Sequence, residues 1–356
     1  MSARLTFSGP IRYRVCGMAE LSRSIIEVSA RRMLKGPRRP GWNSFVEVAT
    51  SMLKRQVDTA MKMRDVNESR RYLDSIVIRS QALSEVNIRP IVRPKFRGSW
   101  FSSSSLSGSS LSSKNAEHQV TVLYLHGGGY SFYPQAYADF IAQITLAVKS
   151  RTFALDYRLA PEHHFPAQLE DALHAYRWLL ESGTDPETLV VAGDSAGGNL
   201  ALALLLAARD SNEPLPSLAI ALSPPTNFEI DSFPNQEFDW ITKPALLCWR
   251  DWFCNSVQRR DPLVSPLRAD LRGLPPIYVQ AGSCEILYDS IREFADHARD
   301  QGADVVLEDW EDMTHDFQIF GRDVPQSADA LQRIGEVIAA RVRGRQAKEK
   351  NEMTSC

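Results

Sequence analysis

The chain has 356 residues, 44% of them hydrophobic and 24% charged, and its 41 Lys+Arg against 43 Asp+Glu leave a formal net charge of -2. That near-balance argues against a nucleic acid or an anionic membrane held by bulk electrostatics, and the composition is that of a globular chain, neither disordered nor fibrous. The five cysteines (Cys16, Cys248, Cys254, Cys284, Cys356) form an odd set without CxxC spacing, so we expect reduced thiols in an intracellular protein with no structural metal or disulfide staple.

No N-terminal stretch joins a basic start, a long apolar run and a small-residue cleavage site, which argues against secretion. The first forty residues carry Arg4, Arg12, Arg14, Arg23, Arg31 and Arg32 with few acids. We read them as a basic arm of a cytoplasmic protein, with a mitochondrial transit peptide as the alternative. From 21 to about 83 the pattern is helical, with Trp42, Phe45, Val46, Ala49, Met52 and Leu53 at three- and four-residue steps. Pro40 and Gly41 break it. Strands are expected over 86–92 and 96–101, followed by a Ser- and Gly-rich surface loop over 102–113.

Beyond this loop, strands and helices alternate. Strands are predicted at 120–125, 152–155, 189–192, 217–222, 276–281 and 304–310, and helices at 135–149, 167–180, 197–209, 286–301 and 328–341, before a charged tail over 344–356. Strands separated by helices imply crossover connections and a mostly parallel sheet covered on both faces. The most apolar window, 189–208, holds Asp194, Ser195 and Asn199 and so reads as a buried strand and helix, without any integral membrane span. Residues 1–83 and 224–266 break the rhythm. The second segment carries seven Phe and Trp residues and falls between two sheet strands, where open α/β sheets bind ligands. We expect both to act as a cap, with Tyr130, Trp240 and Trp249 as candidate pocket residues; plain packing against the sheet edge is the alternative.

Four motifs carry chemistry. Gly193-Asp194-Ser195-Ala196-Gly197 joins an apolar strand to a helix, as a nucleophilic serine on a strained turn requires. His126-Gly127-Gly128-Gly129-Tyr130 follows another buried strand, and its glycines leave backbone N–H groups free to stabilise an oxyanion, with the N–H of Ala196 as partner. His126 itself reads as a buttress. Of seven histidines only His297 and His315 follow Ser195; His297 lies inside a helix, so His315, in the loop after the last strand, is the expected base. The acid belongs just past the strand at 276–281, where Glu285 is our choice and Asp289 the alternative; Asp312 is too local to reach the ring. The stretch from Asp156 to Ala167 holds Glu162, His163 and His164. Adjacent residues rarely converge on one ion, so we expect no metal there and instead an Asp156–Arg158 network shaping the loop.

With HGGG, DYRLAPEHHFPA and GDSAGG in this order, residues 84–343 resemble the hormone-sensitive-lipase branch of the α/β-hydrolase family. The resemblance implies an eight-stranded, mostly parallel sheet, a cap that includes N-terminal helices, and hydrolysis of a carboxylic ester of a small molecule without a cofactor. It puts the nucleophile on Ser195, the base on His315 and the oxyanion donors on Gly127, Gly128 and Ala196. The family's usual Asp in a D-x-L-x-D stretch is replaced here by Glu285. That change and the N-terminal third look most like fungal members, several of which serve secondary metabolism. A lactonase, amidase or acyltransferase could use the same acyl-enzyme. A non-catalytic small-molecule receptor is the reading from another class, and the presence of His315 speaks against it. A monomer or homodimer is expected.

Overall fold

The computed structural model describes residues 4–104 and 120–354, with 342–354 as backbone alone. In chain order the elements are β1 (Arg4–Phe7), α1 (Ile11–Lys35), α2 (Ser44–Met61), α3 (Val66–Asp74), β2 (Ile76–Arg79), α4 (Gln81–Ser84), β3 (Val86–Val92), β4 (Arg97–Ser103) and β5 (Thr121–Leu125). There follow α5 (Tyr137–Val148), β6 (Arg151–Asp156), α6 (Ala167–Glu181), β7 (Leu189–Asp194), α7 (Ala196–Asp210) and β8 (Leu218–Leu222). The chain continues through α8 (Lys243–Phe253), β9 (Ile277–Gly282), α9 (Tyr288–Asp300), β10 (Val305–Trp310) and α10 (Pro325–Thr354).

Eight strands form one sheet in the order β10-β9-β8-β7-β5-β6-β4-β3. From β10 to β6 every pairing is parallel; β4 and β3 add an antiparallel edge. Alternation along each strand feeds two cores, as a sheet covered on both faces requires. Leu123, Leu125 and Val191 pack under α6 and α7, while Val122, Tyr124, Val190 and Ala192 pack under α5 and α10. Farther along the first face, Ala219, Ala221, Val279 and Ala281 meet α7 and α9. The parallel register sends the carboxyl ends of β5, β7, β8, β9 and β10 to the same edge, and it is there that the functional loops emerge.

The sheet strands and their covering helices fall where the sequence predicts, with ends shifted by a few residues. The N-terminal region differs. The helical pattern expected from 21 starts at Ile11, and before the short helix α4 it is interrupted by the strand β2, which pairs antiparallel with β1. Of the expected loop over 102–113, Ser102 and Ser103 belong to β4 and residues from 105 on lie outside the described part. The final helix runs on through the expected tail to Thr354. No helix among the described residues is long and apolar enough to cross a membrane.

Arg70 and Asp312 are two of the side chains that tie the N-terminal helices to the rest. Arg70 of α3 reaches Glu162 with two bonds of 2.6 and 2.8 Å and also the carbonyls of Ala160 and Ser131. Asp312, after β10, accepts from Arg39 Nε and from Gly41 N, both at 2.7 Å, while its carbonyl accepts from Trp42 Nε1. Asp312 is almost fully buried, so removing its carboxylate strands a guanidinium and an amide. We expect Asp312→Ala to lower the unfolding free energy by about 2–3 kcal/mol, read as a lower denaturation midpoint; an unchanged midpoint would show that this anchor carries no weight.

Candidate active site

Ser195 caps the N-terminus of α7 with φ 47° and ψ −121°, a left-handed backbone that a serine adopts only under strain. Two close approaches impose it. A Cβ at Gly193 would run into the backbone of Gly197, and one at Gly197 into the carbonyl of Leu125 at the end of β5. Glycine at both positions lets strand, turn and helix press together and lifts the Ser195 side chain toward the loop after β10. There His315 Nε2 lies 2.8 Å from Ser195 Oγ, with the imidazole fully buried.

On the other side of the ring, Glu285 Oε2 lies 3.8 Å from His315 Nδ1. This is a charge contact rather than a hydrogen bond, and neither Nδ1 nor Glu285 Oε1 has a hydrogen-bond partner. Glu285 Oε2 instead accepts from Ser223 Oγ at 2.6 Å. Asp289 is exposed in the first turn of α9, so of the two acid candidates only Glu285 comes near the ring.

Two further carboxylates that sequence reasoning missed surround the imidazole. Asp316 is left-handed, at φ 47°, which turns its side chain back on its neighbour and sets Oδ2 3.2 Å from His315 Nε2. Its Oδ1 is buried without a partner. Asp239, from the segment between β8 and β9, accepts from the backbone N–H groups of Trp240, Ile286 and His315 at 2.7, 2.7 and 3.2 Å. Burial alone would pull the His315 imidazole down, but Asp316, Glu285 and Asp239 outweigh it and push it up to about 9. Burial likewise raises Glu285 and Asp239, against the opposing pull of His315 on both.

The glycine loop corrects one expectation. Gly127 N–H is not free: it donates to Asp194 Oδ1 at 3.0 Å, and the same carboxylate accepts from Tyr124 Oη at 2.6 Å and Tyr137 Oη at 2.9 Å. Among the described residues the amides of Gly128, Gly129 and Ala196 find no acceptor. Gly129 thus takes the place expected of Gly127. It has φ 58°, and a Cβ there would strike the ring of Trp249. His126 is the expected buttress, stacked between Tyr133 and Tyr157 at centroid distances of 3.7 and 4.0 Å; burial pulls its pKa down to about 3.

A cavity opens beside Ser195, walled by Gly129, Tyr130, Ala196, Phe228, Phe233 and Trp249. Tyr130 is fixed by stacking on Phe253 at 3.7 Å and by donating to Asn199 Oδ1 at 2.5 Å. Trp249 Nε1 points at Met61 Sδ of α2, 3.2 Å away. Trp240 is not a cavity wall. It lies edge-on to His315, 5.5 Å between ring centres, and donates from Nε1 to the His315 carbonyl at 2.7 Å. Lys54 of α2 reaches the carbonyls of Gln236 and Asp239, and Asp58 accepts from Thr242 Oγ1, so with Met61 three residues of α2 touch the segment between β8 and β9.

The network expected between Asp156 and Arg158 does not form. Arg158 is held by Asp171, at 3.0 Å from Nε to Oδ1, and by Glu170, while Asp156 pairs with Arg97. Helix α6 presents two acids one turn above the loop, and the guanidinium is long enough to prefer them. His164 turns to the carbonyl of Trp252 and Glu162 to Arg70, so these neighbours diverge. His297 bonds Gln301 within α9, far from Ser195 in the fold, and His118 lies outside the described residues.

A family model for the α/β-hydrolase fold matches residues 122–319, more than half of the chain. An acetyl-hydrolase of Streptomyces hygroscopicus is 36% identical over 220 residues, 60% of this chain and 74% of the relative. Among solved structures, an esterase from the bacterial hormone-sensitive lipase family is similar with a TM-score of 0.70 at 31% identity, over 82% of this chain and 97% of that one. The esterase EstE5, in a crystal soaked with p-nitrophenyl butyrate, is similar with a TM-score of 0.71 at 28% identity, over 90% and 99% of the two chains. The named organism and structural family are bacterial, and they support the branch without supporting a narrower likeness to fungal members. The chain belongs to the α/β-hydrolase fold family, in its hormone-sensitive-lipase branch.

Proposed function

We propose that this protein is a serine carboxylesterase that cleaves apolar esters with short acyl groups through an acyl-enzyme. The class, a carboxylic-ester hydrolase, follows from the family and its esterase relatives. The observation that carries the finer reading is the 2.8 Å approach of His315 Nε2 to Ser195 Oγ on a strained turn. Ser195 attacks the ester carbonyl as His315 takes its proton; the alkoxide forms against the amides of Gly128, Gly129 and Ala196; His315 then protonates the departing alcohol. Water repeats the sequence on the acyl group. Glu285, with its charge on the Nδ1 side, favours the tautomer that leaves Nε2 free to accept.

Residues 1–83 and 224–266 act in this reading as two halves of a cap, a view supported by the contacts of α2 with Trp249, Gln236 and Asp239. The sequence resemblance to fungal members supports a setting in secondary metabolism, and the four free thiols among the described residues support the cytoplasm.

Ser195→Ala is expected to lower p-nitrophenyl butyrate hydrolysis by at least about 10⁴-fold and to abolish labelling by a fluorophosphonate probe. Retention of most activity would refute the nucleophile. The pH profile tests the base. Only a neutral imidazole takes the serine proton, so the rate falls as pH drops through the pKa of His315. With that pKa raised toward 9, the midpoint of the acid limb should lie well above the ordinary imidazole value of about 6.5. Asp316→Asn removes the nearest charge and should bring the midpoint down by at least about one pH unit; a midpoint unmoved by this change would contradict the role of Asp316. In an acyl-length series, kcat/KM should be highest between acetate and butyrate and at least roughly tenfold lower for palmitate, with Trp249→Ala narrowing the gap. A flat series would remove the cavity from the argument.

A further inference from the structure

Helix α1 is apolar on the face it should not be. Its inward side is settled: Tyr13, Gly17, Glu20, Ser24 and Val28 are buried, and Tyr72 and Thr59 donate to the Glu20 carboxylate. The opposite side carries Ile11, Val15, Met18, Ile25, Ile26 and Met33, which at 100° per residue form one stripe broken only by Ser22 and Ser29. These are not grazing exposures: Ile11 is 75% exposed, Ile26 68% and Met33 81%. Together with Leu34 they make up seven of the twelve large apolar side chains exposed among the described residues. A monomer in water gains nothing from such a concentration.

The flanks say what covers it. Arg14 on one edge and Arg12 and Arg23 on the other are exposed, with Lys35 at the end. Arg12 pairs with Glu68, but Arg14, Arg23 and Lys35 have no ion pair among the described residues. The acids of the helix are occupied: Glu20 is buried, and Glu27 pairs with Arg55. Two copies joined through this stripe would set arginine against arginine along both edges. An anionic surface would instead meet apolar chains in the middle and cations at the rim, which is the pattern of a helix lying in a membrane interface. The chain's net charge near zero does not oppose this, because the cations are local to one helix.

We propose that α1 docks the protein on an anionic lipid surface, with its outer stripe among the acyl chains and Arg14 and Arg23 among the headgroups. The docked helix packs on α2, whose Met61 touches Trp249 in the cavity wall, so a path of two helices links the docked surface to the site.

Co-sedimentation with vesicles tests this independently of catalysis. The protein should pellet with phosphatidylserine–phosphatidylcholine vesicles and stay largely in solution with phosphatidylcholine alone, and added salt should weaken the binding. Ile26→Asp with Met33→Asp should cut the bound fraction by at least about tenfold while leaving the circular dichroism spectrum and the hydrolysis of a soluble ester unchanged. Arg14→Glu with Arg23→Glu should erase the preference for the anionic vesicles. The proposal is overturned if the protein ignores both vesicle types, if the aspartate pair binds as well as the parent, or if the parent is a dimer that the aspartate pair makes monomeric, since the stripe would then be covered by a second copy.

Discussion

Everything at this site depends on a contact between two backbones. Where α7 begins, Gly197 lies against the carbonyl of Leu125 and Gly193 against Gly197 itself, with no room for a methyl group at either place. Because the helix starts so near the neighbouring strand, the residue between the glycines is forced into a left-handed conformation, and its hydroxyl stands clear of the sheet. The parallel register does the rest: loops from β5, β8, β9 and β10 arrive at the same edge, so an imidazole 120 residues away in sequence meets that hydroxyl.

The second constraint is electrostatic. Glu285, Asp316 and Asp239 all act on one buried imidazole, and Asp194 lies near enough to Asp316 to be raised by it. Buried carboxylates are costly unless donors or a cation meet them. Asp194 has two tyrosine hydroxyls and an amide, Asp239 three backbone amides, and Glu285 the hydroxyl of Ser223. Asp316 keeps one oxygen unsatisfied, and its other oxygen faces Nε2, the nitrogen that Ser195 Oγ also approaches. The arrangement therefore favours the charged imidazole over the neutral one.

Much of this was legible from residue pattern. Strands buried on both faces announce themselves as continuous apolar runs, and the glycines around Ser195 have a steric reason that can be read before any coordinates exist. What was not legible depends on backbone twist and side-chain reach. Gly127, Gly128 and Gly129 are equivalent as letters; only the carboxylate of Asp194 removes the first from the donor set. Asp316 stands next to His315, a spacing that ordinarily points side chains apart, and a positive φ reverses this. Asp239 sits in an aromatic segment without periodicity, so nothing in the pattern marked it. Arg158 found its partners across a loop on α6 instead of two residues back.

The ring of His126, clamped between Tyr133 and Tyr157, has a consequence for how acidity reaches the protein. Burial pulls its pKa down to about 3, so this ring stays neutral at pH values where Asp194, raised by its own burial and bonded to the Gly127 amide, takes up a proton. Acid therefore reaches the glycine turn first through the carboxylate on its leading amide and only much later through the stacked ring at its base.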